Sequence, residues 1–181
     1  MNRYLTFFTM SIITLAGFVA LQHVALADTE GPMTEPHIAR IRQNCVEAQS
    51  SLFQIHASDA LLRVNRGQLY ESISTKLMAP LNSRIALNKL DGGALVSITL
   101  NYEKTLNDFR TDYQVYELSL SQVLNIKCTD QPVSFYDGVR AVRDARSKVH
   151  NDVLALQDAI TKYRAAFEAF SSQVTKGSTT K

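Results

Sequence analysis

From Phe135 to Phe170 the apolar residues fall at Phe135, Val139, Val142, Val149, Val153, Leu156, Ile160, Tyr163, Phe167 and Phe170. The steps alternate four and three, and Arg146 holds one position of the same seam. A helix turning every 3.6 residues puts all of these on one stripe, and the sustained alternation predicts a coiled-coil-like seam. Two earlier stretches have matching stripes. The first carries Ile41, Cys45, Ala48, Leu52, Ile55, Leu62, Leu69 and Ile73, with Asp59, Arg66 and Lys76 as charged interruptions. The second carries Leu95, Thr99, Tyr102, Leu106, Phe109, Tyr113, Tyr116, Leu120 and Val123, broken only by Thr99.

The breakers between the stripes set the boundaries. Pro36 suits a first helical turn. Met78-Ala79-Pro80 predicts a kink or stop, with helix again from Leu81 to Leu90. Asp91-Gly92-Gly93 predicts a reversal with glycine in the left-handed cap. The next helix runs from Ala94 to about Lys127, and Thr129-Asp130-Gln131-Pro132 makes the second turn. Ser134 is the expected N-cap of the last helix, with Asp137 as a loose capping-box partner. Gly138 weakens its first turn. The pattern predicts an all-α, elongated, antiparallel up-down-up three-helix bundle over 36–173, with helices at about 36–90, 94–127 and 133–173 and a disordered tail over 174–181. About forty residues per helix give a rod of roughly 60 Å.

Composition adds a compartment. Arg3, the apolar run Tyr4–Leu21 and the A-x-A site Ala25-Leu26-Ala27 form a signal peptide over 1–27, followed by a flexible linker over 28–35. An uncleaved anchor helix is the alternative, because the run is nearly long enough to span a bilayer. The protein is therefore expected to be exported, extracellular or in the cell envelope. Membrane attachment would come only through an uncleaved leader. A net charge of +2 in 181 residues gives no global drive toward nucleic acid. The absence of tryptophan excludes a Trp-based cage.

Export makes the only two cysteines, Cys45 and Cys128, a disulfide candidate. They lie near the start of the first helix and just past the end of the second. Only antiparallel helices bring those ends within the roughly 7 Å a bridge requires. Free thiols and a shared metal site are the alternatives, but neither cysteine has a second Cys or His nearby in sequence.

With the bridge as register mark, Asp59, Arg146 and Tyr113 fall at one height, predicting an ion pair with a tyrosine hydroxyl beside it. The plain explanation is a polar layer that fixes helix register. The chemical one is a ligand or acid/base site, which lacks a second carboxylate or a nucleophile. A second unusual stretch carries Arg63, Arg66, Lys76, Arg84 and Lys89 against a single acid, Glu71. It reads as a solvated basic face, or as a surface for an anion or a partner. Gly67 inside it asks for a close neighbour or a groove. No metal-ligand, P-loop, dinucleotide or serine-hydrolase motif occurs, so neither a cofactor nor an enzyme activity is expected.

The run IRQNCVEAQSSLFQIHASDALLRVNRGQLYESISTKLMAPLNSRI resembles small exported helical proteins of candidate-phyla bacteria of the Saccharibacteria kind. The likeness covers most of the mature chain and implies export from a bacterium that lives on a host cell. It carries no activity, cofactor or site residue. The functional expectation is a non-enzymatic structural or protein-interaction module of the envelope, meeting an envelope or cell-surface protein or a second copy through its helix faces. The alternative is a binding module for an anionic or peptide ligand on Arg63 to Lys89.

Overall fold

The computed structural model describes the chain from residue 33 to 179, with side chains through 176. The expected signal peptide, linker residues 28–32 and the last two residues of the tail lie outside the described residues. The elements are α1 (Glu35–Ser72), a π-helical segment (Ile73–Met78), α2 (Ala79–Leu87), α3 (Gly93–Leu124) and α4 (Pro132–Thr179). They pack as an elongated three-helix bundle whose first arm is α1, the π segment and α2 in succession. No helix among the described residues is long and apolar enough to cross a membrane.

Contacts along the arms give the directions. The first arm meets α3 through Cys45–Cys128, Asp59–Tyr116, Tyr70–Tyr102 and Asn82–Thr99, so numbers rise on one as they fall on the other. It meets α4 through Asp59–Arg146 and Asn82–Tyr163, where both rise together. The arrangement is therefore up-down-up. The Cys45–Cys128 disulfide closes one end with Cα atoms 5.8 Å apart. Beside it the Gln49 amide donates to the carbonyls of Leu124 at 2.8 Å and Ile126 at 3.1 Å, satisfying acceptors that the end of α3 leaves free. Arg42 Nε donates to Thr129 O at 3.0 Å in the same turn.

Several boundaries differ from the sequence expectation, each for a local reason. Instead of a kink at Pro80, the helix widens just before it. The Ala79 N–H reaches back five residues to Ser74 O, which leaves room for the proline ring to follow. Widening disturbs the carbonyl register, and the buried Tyr102 hydroxyl donates to Tyr70 O at 2.9 Å, just ahead of this segment. At the first turn the left-handed residue is Lys89, with φ 56°, and neither Gly92 nor Gly93 has a positive φ. Leu90 N–H bonds to Ile85 O and Lys89 N–H to Ala86 O, the paired bonds of a Schellman cap. Gly92 answers to space instead, because a Cβ there would sit 2.6 Å from Ile85 Cγ2.

The last helix starts at Pro132, so Ser134 lies within its first turn and is not the cap. Proline suits that start, since its missing N–H would have no helical partner there. Gly138 permits close approach: a Cβ would lie 2.5 Å from Cγ2 of the buried Val123. α3 stops at Leu124, ahead of the expected Lys127, and α4 continues to Thr179 through most of the expected tail.

α3 and α4 form the most extensive pairing, and α1 touches both more sparsely. The core divides into two clusters. One surrounds Tyr102, Leu106, Phe109, Leu156 and Tyr163, and the other surrounds the disulfide, Tyr113, Tyr116, Leu120 and Phe135. Between Cys45 and Tyr70, α1 contributes no fully buried side chain. Its inward positions there include Asp59, Arg63 and Arg66, which cannot close over an apolar core. The Thr99 break in the α3 seam has a partner: Asn82 Nδ2 donates to Thr99 Oγ1 at 2.8 Å and Tyr163 donates to Asn82 Oδ1 at 3.2 Å, a polar layer across three helices.

Candidate functional site

Where α1 stands away from the α3–α4 pair, a cleft of about 460 Å³ opens. Its floor is Phe109, Tyr113 and Tyr116 of α3, where the two core clusters meet. Leu62 of α1 and Val149 and Val153 of α4 add apolar wall. Four arginines reach it, Arg63 and Arg66 from α1 and Arg143 and Arg146 from α4, and among the described residues Asp59 is the only carboxylate in the lining.

Two of these arginines have internal partners. Arg146 Nε lies 3.2 Å from Asp59 Oδ2, and the Tyr116 hydroxyl donates to the same oxygen at 2.8 Å. The Asp59 side chain is 14% exposed and that of Arg146 58%, so a sheltered carboxylate is held by a cation that still faces water. The expected tyrosine was Tyr113; the hydroxyl that meets Asp59 is Tyr116, one turn further along. The reason lies in the turn after α3, whose non-helical residues advance further per residue than the roughly 1.5 Å of a helix. Counting helical rise back from Cys128 therefore goes one turn too far, past Tyr116 to Tyr113. Tyr113 packs under Arg63 instead, 4.8 Å from ring centroid to guanidinium carbon, while Arg63 Nη1 pairs with Glu117 at 3.2 Å.

Burial, then the bond to Asp59, pushes the Tyr116 hydroxyl well above its usual range. Burial, with Glu117 and Asp59 near, raises Tyr113. Both hydroxyls hold their protons at neutral pH, and that of Tyr116 acts as a donor. The bond to Asp59 raises Arg146 further. Ser147 and His150 also line the cleft, with no hydrogen bond between them.

Arg66 and Arg143 have no carboxylate within ion-pair distance among the described residues. The cleft thus holds two uncompensated guanidiniums above an aromatic and aliphatic floor. Such an arrangement recognises negative charge and bears no activated nucleophile. Among the described residues no group of three or more His, Cys, Asp or Glu is placed to hold a metal.

The rest of the basic stretch goes elsewhere. Lys76 borders a shallower depression of about 620 Å³ on the other side of Arg63, with Gly67, Glu71 and Arg110. Glu71 pairs there with Arg110. A Cβ on Gly67 would meet nothing within 4 Å, so this glycine borders open space and not a close helix. Arg84 and Lys89 line neither cavity. The five basic residues therefore do not line one cavity.

Sequence reasoning missed Arg143 and His150. The signal was present: Arg143, Arg146 and His150 step by three and four on α4, and Arg63 and Arg66 step by three on α1. Register between the helices was needed to bring the two groups together. Compared with family models, curated proteins and solved structures, the chain matches none.

Proposed function

We propose that this is an exported, non-enzymatic binding module whose interhelical cleft takes an anionic ligand. The carrying observation is the pair Arg66 and Arg143, aimed into one cleft from two helices with no carboxylate partner. Unneutralised arginines lining one cleft favour an anion, because no carboxylate cancels their field there. Export rests on the leader and on the resemblance to exported helical proteins of Saccharibacteria-like bacteria. The disulfide agrees with an oxidising compartment. The test is calorimetric titration of the full chain at low salt with phosphate, citrate and alkyl carboxylates. At least one should bind, with affinity falling as salt rises and falling again in Arg66→Gln and Arg143→Gln. No binding by any of them removes this reading.

A second reading, a module that recognises a protein by helix packing, rests on the outer face of α1. Val46, Phe53, Leu61 and Val64 lie on the side away from the bundle seam, with Phe53 65% and Leu61 70% exposed. An envelope or cell-surface protein, or a second copy of the chain, would cover that stripe. A concentration-dependent mass in analytical ultracentrifugation, abolished by Phe53→Ser, would favour the second copy.

A further inference from the structure

The cleft also constrains what kind of anion it can hold. Internal pairing consumes most of its polar capacity. Asp59 is occupied by Tyr116 and Arg146, and Arg63 by Glu117 and the Tyr113 ring. Two free guanidiniums remain for a head group, on two helices and at different heights. With Asp59 opposite Arg146, Arg143 lies about one turn to one side of that layer and Arg66 about two turns to the other, so they enter the cleft from its two ends. The rest of the lining is hydrocarbon and ring face: Leu62, Phe109, Val149 and Val153.

A compact, highly hydrated polyanion would leave that wall unused and would find no continuing basic track, because Lys76, Arg84 and Lys89 do not line the cleft. An acid with an apolar body uses both parts. A volume of about 460 Å³ lies in the range of pockets that enclose one small organic molecule.

Resting on the anion-binding reading above, we propose that the cleft binds an amphipathic acid, a carboxylate or phosphate head on an alkyl or aryl body. Arg66 and Arg143 reach the head from the two ends of the cleft, and the body lies over Phe109, Val149 and Val153. The molecule comes either free from solution or from the head-group region of a membrane; the chemistry recognised is the same.

The experiment is calorimetric titration of the full chain with acetate, hexanoate, octanoate, decanoate and inorganic phosphate, each at two salt concentrations. Affinity should rise roughly three- to fourfold per added methylene until the cleft is filled. Arg66→Gln and Arg143→Gln should each weaken decanoate about tenfold. Both side chains are exposed and unpaired, so these variants should keep the parent melting temperature. Leu62→Asn, also at an exposed position, should flatten the chain-length dependence while the salt dependence stays. Sedimentation with phosphatidylglycerol vesicles identifies the source. Co-sedimentation that decanoate displaces assigns a membrane lipid, and decanoate binding without co-sedimentation assigns a free acid. Phosphate or acetate binding as tightly as decanoate overturns the amphipathic assignment and leaves the anion site standing. Decanoate binding that ignores salt and both arginine variants overturns it too, by placing the acid on the outer stripe of α1. No binding by any anion removes both readings.

Discussion

The Tyr116 hydroxyl donates to Asp59 Oδ2 at 2.8 Å, linking α3 to α1 where the two core clusters meet. Tyr116 is almost fully buried, so its hydroxyl has no solvent to fall back on. Removing the donor leaves Asp59 with Arg146 alone, and removing the acceptor leaves the hydroxyl without a partner.

Tyr116→Phe should therefore destabilise by about 1–2 kcal/mol, while Tyr113→Phe should change stability by less than about 0.5 kcal/mol. Urea melts of the two variants give the comparison. Equal losses would place the hydroxyl contact at Tyr113.

The Asp59–Arg146 pair is asymmetric, and single changes should differ accordingly. Arg146→Leu leaves a sheltered carboxylate without its cation and should cost about 2–3 kcal/mol. Asp59→Leu frees an arginine that already reaches water, so most of its cost is the unpaired Tyr116 hydroxyl, about 1–2 kcal/mol. The double variant should be less destabilised than the sum of the singles. Additive losses in a double-mutant cycle would show that the two residues do not act as a pair.

Asp152 carries a pH signature. Burial, and then the charges of Asp112 and Asp108, push its carboxyl up to about 6, above its ordinary value. Its Oδ2 is buried with no hydrogen-bond partner. With the folded value raised, the folded chain binds the proton more tightly than the unfolded chain. Asp152 therefore weakens the fold progressively as pH rises from about 4 to about 6 and keeps that full effect at neutral pH. Asp152→Asn should gain about 1 kcal/mol at pH 7, allowing for solvent screening, and nothing at pH 4. Thermal melts of both proteins across that range test it; a gain independent of pH would assign the effect to packing.

Two backbone positions have room for improvement. Gly67 sits inside a helix with open space where a Cβ would go, so Gly67→Ala should stabilise by about 1 kcal/mol. Lys89 holds a left-handed conformation that glycine adopts freely, so Lys89→Gly should stabilise by about 1 kcal/mol. A loss at Gly67 in denaturant melts would mean that a neighbour packs there.

The helix count, the turns and the Cys45–Cys128 bridge were legible in the sequence because each follows from local pattern or from elimination. Seam spacing reports which face of a helix is buried, proline and glycine mark where it ends, and two cysteines leave one pairing. The choice of Tyr116 over Tyr113 was not legible, because it depends on how far a non-helical turn advances the chain. Nor was the π segment, where the ring of Pro80 acts on the turn before it. The left-handed cap at Lys89 escaped for a similar reason: cap geometry is set by where the hydrogen bonds of α2 run out, and glycine composition marks only the neighbourhood. The cleft belongs wholly to tertiary structure. Arg63 and Arg66 are about eighty residues from Arg143 and Arg146, and each pair alone reads as an ordinary solvated helix face. Three helices in a fixed register, with a charged stretch of α1 that cannot close over the core, turn those two faces into one site.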